Sequence, residues 1–149
     1  MRYSIVIMLV IFGTMGFVRM QESASQNPEP WSTSQLMMPA DLASMMNNPK
    51  VKQPMVISIG PGALIKGSLD MGAVHVPAGL EKFRLQINKL PKDTRLIIYC
   101  GCCPFEHCPN IRPAFRLLNE MKFTQARLLN LEHNIKTDWV SKGYPSVSQ

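Results

Sequence analysis

The run RLIIYC at 95–100 sets the strongest limit on what this chain can fold into. Its apolar, β-branched centre has no polar alternate, so a strand here needs cover on both faces, as in parallel sheets walled by helices. PMVISIG at 54–60 has the same character and ends in glycine, and AVHVP at 73–77 reads as another buried strand. Shorter strands are expected at 35–38 and 126–130. Between them the apolar spacing turns helical. Leu42, Met45 and Met46 share a face in a helix over 39–48, opened by Pro39. Leu80, Phe83, Ile87 and Leu90 recur over 78–90, where Pro91 stops the helix. Ile111, Ala114, Leu118 and Met121 mark a helix to about residue 122, with Asn110 as its N-cap and Pro113 in its first turn. A last helix is expected over 132–141. This alternation specifies one α/β domain, a mainly parallel sheet with helices on both faces.

Ahead of the domain, Arg2 precedes an apolar stretch from Ile5 to Val18, and the polar run QESASQNPEP follows. That is the layout of a secretory signal. Ser23 and Ser25 supply small residues for cleavage before Gln26, and Gly13 and Gly16 offer an earlier cut. The chain divides into a leader at 1–25, a linker at 26–34 and a domain at 35–149. The mature protein is expected to be exported, periplasmic and off the membrane. An uncleaved leader would instead anchor it, because the apolar run is only a little short of a spanning helix.

A content of 46% hydrophobic and 17% charged residues excludes a disordered or fibrous chain. The formal charge is +6, yet lysine and arginine are scattered and form no run that tracks phosphates, so no nucleic-acid partner is expected. A mild positive field suits small anionic substrates.

All four cysteines, Cys100, Cys102, Cys103 and Cys108, fall in CGCCPFEHC at 100–108. Cysteines used as staples close long loops, because a short closed loop constrains little. The cluster therefore reads as chemical. A loop leaving a buried strand and entering a helix aims backbone N–H groups inward, and the helix end and Arg112 add positive charge. These features predict lowered thiol pKa values and a cradle for an anion or persulfide. Cys100, Cys108 and Arg112 are the candidate catalytic residues, and Gly101, Cys102, Cys103 and His107 complete the substrate loop.

IIYC at 97–100, then Arg112 with Leu117 and Leu118, KF at 122–123, Leu131, Ile135 and Trp139 resemble the second half of a rhodanese domain. GSLDMGAVHVP at 67–77 is similar to that family's Gly-His-Ile-Pro-Gly-Ala box. The resemblance spans about 35–145 and implies a sulfurtransferase fold. It places the sulfur-carrying cysteine at Cys100, with no cofactor and with a small anionic sulfur donor or a thiol acceptor as partner. Ser58, Ile59 and Gly60 stand where the family has Asp-x-Arg, Ser68 replaces the box histidine, and the active loop is longer than usual.

Three other readings compete for the same residues. Cys100 to Cys103 forms a Cys-x-x-Cys, as in thiol-disulfide oxidoreductases, but ARLLNL at 126–131 lacks the proline that a thioredoxin-like fold places opposite its dithiol. Four thiols with His107 suit a soft ion such as Cu(I) or Zn(II), although zinc sites usually draw ligand pairs from separated segments. A non-catalytic rhodanese module with paired cysteines is the third. The favoured expectation is a persulfide on Cys100 that Cys108 attacks.

Overall fold

The computed structural model describes residues 28–147, so the expected leader at 1–25 and the start of the linker lie outside the described residues. Five strands form one sheet in the order β1-β5-β4-β2-β3. They are β1 (Leu36–Met37), β2 (Met55–Ser58), β3 (Leu69–Asp70), β4 (Leu96–Tyr99) and β5 (Ala126–Leu129). Every pairing among these strands is parallel, with β4 held between β2 and β5. Helices α1 (Pro39–Met46), α2 (Pro77–Ile87), α3 (Ile111–Glu120) and α4 (Ile135–Asp138) connect or follow them. The expected α/β architecture with a parallel sheet is therefore present. Among the described residues, no helix is long and apolar enough to cross a membrane.

Alternation along the central strand divides the core in two. Leu96 and Ile98 face one cluster, with Phe83 and Ile87 of α2 and Ala114, Phe115 and Leu118 of α3. Ile97 and Tyr99 face the other, with Leu42 of α1 and Ile135 and Trp139 around α4. All four residues of β4 are buried, which explains its lack of a polar alternate. The same alternation places Cys100, the residue after β4, on the Leu96 and Ile98 side, where α3 begins.

AVHVP, expected as a strand, is instead a turn leading into α2. The edge strand lies earlier, at Leu69–Asp70. Asp70 Oδ1 accepts from the Gly72 N–H at 2.9 Å, and Gly72 turns the chain with φ of +71°. Val76 then takes the N-cap position and Pro77 the first helical one, where its missing N–H is not needed. The final helix also differs from the single segment expected, being α4 followed by a 3₁₀ turn at Val140–Lys142.

Part of the segment read as linker packs on the domain. Half-buried Trp31 lies edge-on to Phe115 at 5.7 Å between ring centroids and tilted to Phe105 at 6.3 Å. Asn119 donates to the Pro30 carbonyl at 2.6 Å. Trp31→Ala should destabilise the protein by about 1–3 kcal/mol, below the usual cost for a fully buried tryptophan. Denaturant unfolding measures this, and an unchanged midpoint would show that the segment is not docked in solution.

Candidate functional site

The cysteine loop begins where β4 leaves the sheet and ends at the first turn of α3. Two backbone hydrogen bonds pin it. Ile135 N–H donates to the Gly101 carbonyl at 3.0 Å, and Phe105 N–H donates to the Leu131 carbonyl at 3.0 Å. Phe105 opens a short 3₁₀ turn, Phe105–His107, and is itself buried, so the stretch Cys102–Pro104 forms a tip between fixed points. Gly101 has no side-chain room, since a Cβ there would lie 2.9 Å from the Ile135 side chain.

This path returns Cys108 to the side of Cys100. The four Sγ atoms all lie within 4.8 Å of one another. Cys100 and Cys102 sulfurs are 3.4 Å apart, and those of Cys102 and Cys103 are 3.2 Å apart. All four are free thiols. Burial separates them into two pairs: Cys100 and Cys108 are 1% and 0% exposed, whereas Cys102 is exposed and Cys103 half-exposed.

Asn110, expected as the N-cap of α3, has no capping hydrogen bond from its side chain. Its Oδ1 accepts from the His75 backbone N–H at 2.9 Å and lies 2.8 Å from His75 Nδ1. The Asn110 Nδ2 group therefore faces the sulfurs, 3.4 Å from Cys100 and 3.8 Å from Cys108. A backbone N–H only donates, so this contact fixes which end of the amide points where. Buried Gly60 completes the wall, because a Cβ there would fall 2.3 Å from Cys100 Sγ.

Arg112, expected beside the thiols, pairs with Glu29 and lies over the Trp31 ring at 5.6 Å. It serves the docked segment. Glu106 and His107 are exposed on the outer side of the 3₁₀ turn, in a hollow shared with Trp31 and Arg112.

Thiol pKa values were expected to be lowered, and those of Cys100, Cys102 and Cys103 are raised. A hydrogen bond with Cys108, and then burial, push Cys100 far above the ordinary thiol range, against a smaller opposing pull from the Cys102 backbone. Burial and a hydrogen bond with Cys102 push Cys103 up to about 11. Cys102 is raised too, chiefly by burial. Thiols packed this closely resist ionising together, because each thiolate charge opposes the next. Nearby positive charge reverses that balance, and a bound cation supplies it.

The described fold is similar to the crystal structure of a Saccharomyces cerevisiae single-domain sulfurtransferase, RDL2, with a TM-score of 0.51 and 14% sequence identity. The match covers 76% of this chain and 95% of that one. This likeness supports the rhodanese-like fold expected from the sequence. No protein-family profile matches the chain, and no curated protein matches it.

Proposed function

We propose that the protein binds a soft metal ion, Zn(II) or Cu(I), through Cys100, Cys102, Cys103 and Cys108 on a rhodanese-like scaffold. The observation that carries this reading is the convergence of four sulfurs within 4.8 Å. A tetrahedral zinc site with Zn–S bonds of about 2.3 Å has sulfur-to-sulfur edges of about 3.8 Å. The spacings of 3.2 and 3.4 Å and the 4.8 Å limit bracket that value, so closure needs only small movements. A Cu(I) ion, content with two or three thiolates, needs less. A persulfide on Cys100 needs one further thiol to attack it, whereas this loop brings three others within 4.8 Å.

Anaerobic titration of the reduced apoprotein tests the proposal. One ion per chain should bind with a Kd below about 0.1 μM, the weak end of thiolate zinc sites. Co(II) should give thiolate charge-transfer absorption, and all four thiols should become protected from alkylation. Binding weaker than micromolar, or uptake with fewer than three thiols protected, would defeat the reading.

Metal should stabilise the fold without creating it. Cys100 and Cys108 belong to one of the two buried clusters, but its bulk comes from other side chains such as Phe83 and Phe115, and the second cluster, with Tyr99 and Trp139, contains no cysteine. Chelation should therefore lower the thermal midpoint yet leave a cooperative transition. A collapse of that transition would show a structural ion instead.

Sulfur carriage by Cys100 is the second reading, favoured by its place at the exit of β4 and by the fold likeness. It predicts a mass gain of one sulfur atom on the metal-free protein after thiosulfate or polysulfide treatment, absent in Cys100→Ser.

A further inference from the structure

We infer that the site passes its ion to an acceptor bearing a pair of neighbouring thiols, by ligand exchange at Cys102 and Cys103, while Cys100 and Cys108 hold the ion until the exchange is under way. This rests on the metal reading above. It follows from the unequal setting of the two cysteine pairs.

Cys100 and Cys108 are closed to solvent, at 1% and 0% exposure. Each is fixed by regular structure, one at the end of the central strand and the other just before α3. Asn110, itself 2% exposed, donates toward both sulfurs. Moving either sulfur disturbs the core. Cys102 and Cys103 sit on the tip between the bonds from Ile135 to Gly101 and from Phe105 to Leu131, Cys102 exposed and Cys103 partly so. They can turn away from the ion while both pins hold. An incoming donor therefore reaches the ion from the tip side alone, where the replaceable ligands stand.

The step balances without any redox partner. The first acceptor thiol gives up its proton and its sulfur bonds to the ion as the bond to Cys102 breaks. The Cys102 sulfur takes up a proton. The second acceptor thiol displaces Cys103 in the same way, leaving the ion shared between Cys100, Cys108 and the two acceptor sulfurs. Transfer is complete when the bonds to Cys100 and Cys108 break, each sulfur takes up a proton from solvent, and water or further acceptor donors fill the two vacated positions on the ion. No electron changes hands, and the ion keeps its oxidation state. Two neighbouring acceptor thiols suit this geometry because two adjacent protein sulfurs are replaced, and the second displacement then becomes intramolecular.

The full protein loaded with Zn(II) tests this, with a chromophoric chelator recording ion release in the presence of dithiothreitol as dithiol probe or glutathione as monothiol probe. The release rate should rise linearly with dithiothreitol. At equal thiol concentration, dithiothreitol should be about tenfold or more faster than glutathione. Cys102→Ser should still bind the ion and should release it faster, with less dependence on dithiol. A wild-type release rate independent of dithiol, or equal rates for the two probes, would overturn the inference while leaving the metal reading intact. Failure of the apoprotein to take up any ion would overturn both.

Discussion

Cys108→Ser should weaken soft-ion binding by more than about a hundredfold. Changes to groups that merely support a ligand usually cost ten- to a hundredfold in metal affinity, and this change removes a ligand. The loss should exceed that of Cys102→Ser, because Cys108 is 0% exposed and no water can readily take its place at the ion, whereas the Cys102 position is open to solvent. Serine is close to cysteine in size, so the apoprotein should still unfold cooperatively, with only the modest cost of burying a hydroxyl where a thiol stood. Competition against a chelator of known affinity measures the effect. Equal losses for the two variants would mean that the buried and exposed sulfurs contribute alike.

A metal reading and a persulfide reading make opposite demands on this residue. As a resolving thiol, Cys108 would be dispensable for the first chemical step, and its loss would trap a persulfide on Cys100. As a ligand, it is needed before any chemistry begins. Treating Cys108→Ser with polysulfide and then measuring zinc affinity therefore distinguishes the two roles in one sample.

The architecture was legible because its strongest elements are locally unambiguous. RLIIYC has to be buried on both faces, and β4 is. Pro39 and Pro77 open helices in positions where proline is preorganised to do so. AVHVP misled because its apolar and β-branched residues suit a strand, while Gly72 ahead of it and Pro77 at its end make it a helix approach. The roles of Trp31 and Arg112 depend on one another and on Glu29, a contact far apart in sequence that no local pattern reveals.

The cysteines were found from sequence, and a soft-ion site was among the readings of them, but it stood behind sulfur carriage. Spacing argued against zinc, because one short loop supplies every thiol. The strand end and the helix start supply the separation that the sequence lacks. They act as two rigid walls, and the pinned tip folds Cys102 and Cys103 back between them. The expected drop in thiol pKa failed for a related reason. Arg112 is committed to Glu29, while the Cys102 sulfur lies 3.4 Å from that of Cys100 and 3.2 Å from that of Cys103, so thiol crowds thiol.

Asn110→Asp should reduce ion affinity by about ten- to a hundredfold, the usual range for a group that orients metal ligands. Sequence position alone marks Asn110 as a helix cap, yet its side chain spans from His75 to the buried sulfurs. Aspartate has the same shape and can still accept both bonds from His75, so the connection between the turn before α2 and the start of α3 survives. What disappears is the N–H group 3.4 Å from Cys100 and 3.8 Å from Cys108. In its place stands an acceptor, or a negative charge, beside sulfurs that must become anionic to bind the ion. Both changes oppose thiolate formation. Chelator competition should show the loss, and thermal unfolding of the apoprotein should show a much smaller change, separating a role at the sulfurs from a purely structural one. An affinity within about twofold of the wild type would mean that these long N–H to sulfur contacts do not support the site.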